Sequence, residues 1–562
     1  MLEAVTLNEV PSVARQRFSL VQNNDIEDVE TATEVATRRR NPSILLHRVA
    51  SVKVTGDGKD LNDALRISVA GRRGSAFTKF FALASTSRSF IERGVRPTLI
   101  NAMLFFSDPN PDPEDFRRVI SERLLDIPRF RSTFRFEEED GSVHWDPVAR
   151  SEVDIQYHVQ VKDGRGKFDH EDIEELITET YLTDWDLSKP LWQITLVTNT
   201  KDGRSMMFCT FDHAIGDGVA MLKVMLSLLD DPPDGVNTFQ KPRRKNKHSS
   251  MRFSSQIVNF CAGVRDGIRG ALAPPSDPPS SLKIPKERLG EETPGKAFVQ
   301  TKAFDLDEIQ SMKSKLEGAT VNDVMMAIFA IGLRRYFEEV NDPVLESIIS
   351  EGQKIHAEFP VNLRSQSQDV SEMGSKLAVG SFNFPVNHKD PIDAFWQCKV
   401  RIDEMKSSPF FLVKQKMTDS LLKNVPVETL AKNCAEEGVR STLVISNVIG
   451  PQYESSMAGY ALNDINFTVT YPGGLYCGVL TYNGKMRISL ILDKLTDGNV
   501  TTLRNCLESA YEDLKTAVLE ETGQIAAPSR GISMAAKMLE GIFAVVVLSI
   551  PVLVARSKWT KY

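Results

Sequence analysis

The sequence predicts a mixed α/β protein made of two halves joined by a long crossover. Three observations carry that expectation. Short β-rich runs alternate with segments of helical spacing on both sides of the chain's middle, and a stretch between Asp230 and Lys296 that is rich in proline and basic residues separates them. A length of 562 residues with 41% hydrophobic content is enough for two or more cores.

Residues 1–85 are polar, contain the run Arg38-Arg39-Arg40 and lack sustained periodicity, so they are expected to be a largely disordered extension. Acidic residues at Glu3, Glu9, Asp25, Glu27 and Asp28, with no early apolar core, argue against a secretory signal. The first folded half is placed at 86–232. It opens with a strand over Thr98–Phe106, a helix over Pro113–Leu125 and alternation over Arg131–Phe136. Trp192–Thr198 and Ser205–Phe211 are β-rich runs separated by NTKDGR, whose Asp-Gly pair favours a turn, so they predict a hairpin. His213-Ala214-Ile215-Gly216-Asp217-Gly218 follows at once, and then VAMLKVMLSLL, which reads as a helix. His213 is thus expected where a strand gives way to a helix.

The crossover is placed at 233–296. Within it, Met251–Leu272 carries Ile257, Phe260, Val264, Ile268 and Leu272 on one helical face beside the basic residues Lys241, Arg243, Arg244, Lys245 and Lys247. Such a helix suits an anionic membrane surface and the body of the protein about equally. The second half, 297–525, begins with a β-like run near Phe298–Phe304. A helix follows in which Thr320 is the cap, Asp323 lies in the first turn, and Met325, Ile328, Phe329 and Leu333 form the buried stripe. Leu443–Ser446, Tyr476–Tyr482 and Met486–Leu492 read as strands. Near the end, 538–556 holds Gly541–Ala555, a run without a charge, followed by Arg556, Lys558, Trp559 and Lys561. As a helix this run spans about 22 Å, short of the roughly 30 Å hydrocarbon core; membrane attachment is the expectation, with a buried terminal helix as the alternative.

A net charge of -7 gives no footprint for nucleic acid. Cysteines at 209, 261, 398, 434, 477 and 506 are scattered without metal-ligand spacing, which suits reduced thiols in a cytosol-facing protein, and no metal site is expected. The chemistry therefore rests on the histidine turn. An imidazole with a pKa near 6.5 suits removal of a hydroxyl proton, and His213 is the candidate general base. Gly216 and Gly218 leave room for substrate beside the backbone, and Asp217, which can fix the turn or pair with a cation from the other half, is assigned a structural role. By itself the H-x-x-x-D-G pattern recurs by chance in roughly one chain of this length in twenty.

Further motifs accompany it. They are Asp212-His213-Ala214-Ile215-Gly216-Asp217-Gly218, Pro190-Leu191-Trp192, Asn322-Asp323, Pro360-Val361-Asn362-Leu363-Arg364 and Asn447-Val448-Ile449-Gly450-Pro451. With them the sequence resembles the wax ester synthase/acyl-CoA:diacylglycerol acyltransferase family over residues from about 98 to 515. One position departs from it: the first histidine of the family's pair is Asp212, which is expected to orient the neighbourhood, while His213 keeps the family's catalytic position. The resemblance implies two chloramphenicol acetyltransferase-like α/β domains around a central channel. It also implies acyl-CoA as a substrate, a fatty alcohol or diacylglycerol as acceptor, a membrane or lipid-droplet surface as partner on the cytosolic face of the endoplasmic reticulum, and no cofactor. Asn322 and Asp323 are the candidates for lining the channel or stabilising an oxyanion, with a backbone amide near Gly218 as the alternative oxyanion donor. Pro190, Leu191, Trp192, Asn447, Gly450 and Pro451 offer no good acid or base and are assigned to structure.

A condensation domain of peptide synthesis shares the histidine signature, but the chain has no evident carrier-domain serine motif and does have the block ending at Pro451. Soluble plant-type acyltransferases carry a D-F-G-W-G block that is absent here. An inactive lipid-binding scaffold of the same fold is the non-enzyme alternative, favoured only by Asp212.

Overall fold

The computed structural model describes residues 76–86, 96–137, 142–232, 276–362, 377–406 and 440–527, with isolated positions at 413, 416 and 429. These belong to one compact unit that begins at Arg73. In the first half run α1 (Ala76–Thr86), β1 (Leu99–Phe106), α2 (Pro113–Val119), β2 (Ser132–Glu137), β3 (Ser142–Pro147), α3 (Ile155–His158), β4 (Val159–Asp163), α4 (His170–Leu182), β5 (Trp192–Thr198), β6 (Ser205–Asp212) and α5 (Gly218–Ser227). The second half continues with β7 (Lys296–Gln300), β8 (Phe304–Asp305), α6 (Leu306–Lys315), α7 (Val321–Glu339), α8 (Val344–Ser350), β9 (Ile355–Asn362), β10 (Leu377–Phe384) and α9 (Pro391–Lys406). It closes with β11 (Leu443–Ile449), β12 (Ser455–Met457), β13 (Tyr460–Thr470), β14 (Leu475–Tyr482), β15 (Lys485–Asp493) and α10 (Val500–Leu519).

Two large sheets organise these elements. The first has strand order β12-β13-β1-β6-β5-β4, and the second β10-β9-β11-β14-β15-β7, with β8 added to β15. The β5–β6 hairpin forms as its sequence predicts, Asn199 and Gly203 taking the left-handed conformations its loop needs. The division of the chain at 297 does not carry over to the sheets. β12 and β13 come from the second half of the sequence but complete the first sheet, where β13 pairs with β1 antiparallel from Leu99 opposite Thr470 to Phe106 opposite Leu462.

Local chemistry explains the helices around this frame. Thr320 caps α7 with its side chain accepting from the Asp323 backbone N–H, while the Asp323 carboxylate returns to the Thr320 N–H, a capping box. α7 is apolar nearly all round, as a helix enclosed by a core must be. At its crossing with α10 a Cβ on Gly332 would lie 2.6 Å from Leu507 Cδ2 and 3.2 Å from Leu507 Cα, so a side chain there would force the helices apart.

The halves share their interior. Phe168, Leu176 and Ile177 of the first half pack with Met103 and Phe208 against Phe298 and Ile491 of the second. Beside this cluster Lys296 and Asp493 form a buried ion pair at 2.6 Å. The Lys296 ammonium also donates to the Tyr471 carbonyl and lies 4.5 Å from the centre of the Tyr181 ring on α4. The C-terminal end of the crossover is tied down as well. The Asp277 carboxylate accepts from the backbone N–H groups of His356 and Thr442 and from the Thr442 hydroxyl, and its second oxygen meets His356 Nδ1.

One boundary needs correction. The extension placed at 1–85 and expected to be largely disordered ends in α1, whose Ala82 and Leu83 are fully buried: the run FFALA is too apolar to stay in water. The amphipathic segment 251–272, its basic cluster and the apolar segment 538–556 lie outside the described residues. Among the described residues no helix is long and apolar enough to cross a membrane.

Candidate active site

The end of β6 is gripped from both sides. The Asp212 N–H donates to the Leu191 carbonyl and the His213 N–H to the Thr98 carbonyl, both at 3.0 Å. This gives Pro190-Leu191-Trp192 its place. Leu191 fixes the strand end, and Trp192, fully buried and paired with Phe211, anchors β5 by donating Nε1–H to the Phe130 carbonyl at 2.8 Å. Trp192 also stacks on His158, whose Nδ1 bonds the Trp192 carbonyl at 2.7 Å.

Asp212 is buried, with one carboxylate oxygen accepting from the Ala214 N–H at 2.8 Å and the other from the Ser85 hydroxyl at 2.6 Å. Burial outweighs these two donors and pushes its carboxyl up to about 7. The aspartate thus clamps the turn that carries His213. His213 is partly exposed, with Nδ1 sealed from solvent and without a hydrogen-bond partner from any other described residue, and one ring face stacked on Phe81 at a centroid separation of 4.0 Å and 28° between planes. Burial lowers its pKa to about 4, opposed by the negative charge of Asp217 and by the residue's own carbonyl. At neutral pH the ring is therefore uncharged and able to accept a proton.

Asp217 is the N-cap of α5: its buried carboxylate accepts from the Ala220 N–H at 3.1 Å. Asp217→Ala is accordingly expected to lower stability by about 0.5–2 kcal/mol, the usual cost of losing a cap, measured by denaturant unfolding. An unchanged unfolding midpoint would show that the cap contributes nothing here. Gly218, the first residue of α5, lines an apolar cavity formed with Phe211, Ile100, Met221, Val448 and Leu480. That cavity draws its walls from both halves of the chain, beginning beside the histidine turn.

Two further motifs meet each other. Asn322 Oδ1 accepts from Asn447 Nδ2 at 3.3 Å, bringing the Asn-Asp block of α7 to the end of β11. Asp323 is fully buried and committed to its capping box, with Lys399 and Lys406 each 3.7 Å away. Asp323 thus serves the helix cap beside two lysines, which leaves Asn322 as the member of that pair with amide donors for an oxyanion. Gly450 allows β11 to end against β14: a Cβ there would lie 2.7 Å from the Thr481 carbonyl, and Pro451 holds the next turn by accepting from the Asn483 N–H. Phe81 and Ser85 were missed in the sequence, although FFALAS is the one apolar run just ahead of the first strand.

Two sheets meeting at a cavity, with a histidine on the strand-to-helix turn beside it, define an acyltransferase-type fold. Over 79% of this chain it is shared with a solved structure of the wax ester synthase/diacylglycerol acyltransferase from Marinobacter aquaeolei (98% of that chain covered, TM-score 0.53, 17% identity). Trichothecene 15-O-acetyltransferase from Fusarium sporotrichioides shares it with a TM-score of 0.52 at 12% identity, over 80% of this chain and 94% of that one.

Residues 87–325 match the wax ester synthase/diacylglycerol acyltransferase catalytic domain and residues 373–515 the C-terminal domain of the same family. The chain belongs to the wax ester synthase/diacylglycerol acyltransferase family. Wax ester synthase/diacylglycerol acyltransferase 9 of Arabidopsis thaliana is 24% identical over 490 residues, covering 78% of this chain and 96% of that protein.

Proposed function

We propose that this protein moves a fatty acyl group from acyl-CoA to a long-chain alcohol, to diacylglycerol or to both, with His213 as the general base. The observation that carries the reading is a neutral imidazole held at the β6–α5 turn beside an apolar cavity. Nδ1 is buried, so the other ring nitrogen is the one placed to take the acceptor's hydroxyl proton. The acceptor oxygen then attacks the thioester carbonyl, and collapse of the tetrahedral intermediate expels the CoA thiolate. Protonated His213 returns its proton to that thiolate, so the reaction closes without an acyl-enzyme and asks for no cofactor. Asn322 is the proposed oxyanion donor: accepting from Asn447 through its oxygen leaves its amide N–H groups to face developing negative charge.

Expression in a host devoid of neutral lipid, with supplied fatty alcohol, tests the reading by separation of wax ester from triacylglycerol. Either ester above a His213→Ala control supports it, and neither contradicts it.

The site of action proposed is the cytosolic face of the endoplasmic reticulum or a lipid droplet, held there by Gly541–Ala555. Support comes from an uncharged run too short for a comfortable span, from Arg556, Lys558 and Lys561 after it, and from Trp559 and Tyr562 with their interfacial preference. Deleting residues 538–562 is expected to release the protein to the soluble fraction, with activity on detergent-dispersed substrate retained. A truncated protein that still pellets with membranes contradicts this.

A further inference from the structure

We propose that α1 belongs to the catalytic unit, with Phe81 and Ser85 acting as positioning residues for His213. The inference rests on His213 as the base and assigns what keeps that base in place. α1 spans Ala76–Thr86, just ahead of the segment from residue 87 that matches the catalytic domain, so these two residues lie outside the part of the chain the family match defines.

The need for such residues follows from the histidine itself. Catalytic imidazoles are commonly oriented by a partner on the second ring nitrogen, which fixes both tautomer and ring angle. Among the described residues no other residue partners Nδ1 of His213, and the torsion that turns an imidazole is intrinsically soft. Packing must then set the ring plane. Phe81 supplies it, lying 4.0 Å from the imidazole centre and only 28° from parallel. A stack covers a ring face, whereas proton transfer uses the lone pair in the ring plane. Phe81 therefore restrains rotation and excludes water without closing the reactive edge.

Ser85 acts one step further away. Its hydroxyl lies 2.6 Å from one Asp212 oxygen and 3.1 Å from the Phe81 carbonyl, while the other Asp212 oxygen holds the Ala214 N–H. The Asp212 carboxylate is thus a bridge between α1 and the peptide that follows His213. Ser85 fixes the bridge at one end, the turn is fixed at the other, and the same helix places Phe81 on the ring. Aspartate at position 212 is what makes this bridge possible, since its two oxygens accept from two donors at once.

The test uses Ser85→Ala, Ser85→Thr and Phe81→Leu in the full-length protein, with steady-state kinetics in acyl-CoA and acceptor and a thermal melt for each. Misplacing a catalytic group by about 1 Å costs up to ~100-fold, so kcat is expected to fall roughly tenfold or more in Ser85→Ala and Phe81→Leu. KM for acyl-CoA should stay near the wild-type value and Ser85→Thr, which keeps the hydroxyl, should recover most of the rate. Phe81→Leu preserves apolar burial and carries the test if Ser85→Ala does not fold. Wild-type kcat in both folded variants overturns the proposal, as does a rise in KM at unchanged kcat, which would make α1 a wall for substrate and no support for the base. Undiminished activity in His213→Ala would instead remove the base assignment, a result separable from either.

Discussion

His213→Ala is expected to lower kcat by a hundredfold or more while leaving the protein folded, because removal of a general base costs about 10²–10⁴ in rate. The fold should persist because the strand end is held by backbone bonds from His213 to Thr98 and from Asp212 to Leu191, which the substitution leaves intact. The pH dependence gives a second measure. With the imidazole lowered to about 4 by burial, the acid limb of kcat/KM should fall near pH 4, well below the 6.5 of a free histidine. The stability sign follows from the same shift. Between 4 and 6.5 the unfolded chain binds the proton and the folded one does not, so stability from this group is present above 6.5 and is lost as pH falls toward 4. Asp212, raised from 3.8 to about 7, runs oppositely: its contribution is full below 3.8 and is lost as pH rises toward 7. A folded His213→Ala protein with near-normal kcat would remove the base assignment.

Lys296→Met is expected to be the most destabilising single change, costing about 3–5 kcal/mol, because it strands the Asp493 carboxylate in the interior. Lys296 is 1% exposed and Asp493 3%, so water cannot replace the missing ammonium. The remaining partners of Asp493, the Thr293 hydroxyl and the Leu495 N–H, are neutral donors and do not balance its charge. Adding Asp493→Asn removes the stranded charge and keeps an acceptor for those two donors, so the double variant should regain most of the loss. Denaturant unfolding of the two variants measures both effects. A Lys296→Met protein within about 1 kcal/mol of wild type would show that the two groups do not form the buried ion pair described here.

What the sequence disclosed, and what it hid, divides along the range of the interactions. The β5–β6 hairpin, the His213 turn and the Thr320 cap are local: each depends on residues a few positions apart, and each was legible from turn chemistry, alternation and capping pattern. The membership of β13 in the first sheet depends on Leu99 meeting Thr470 across most of the chain, and no pattern within a strand names its partner. The meeting of Asn322 with Asn447 is hidden for the same reason. Asp212 stood out in the sequence only as a departure from a family pair. Its role as a clamp emerges once Ser85 and Ala214 are seen on its two oxygens. α1 was lost to averaging, a short apolar run at the end of a long polar extension.

The most direct test of direct acyl transfer is a stoichiometry measurement on purified protein given acyl-CoA with a labelled acyl chain, with and without a long-chain alcohol or diacylglycerol. The expected result is labelled ester and free CoA formed one for one, dependent on the acceptor and absent with His213→Ala. Free CoA released without acceptor, or no ester from wild type with either acceptor, would contradict it.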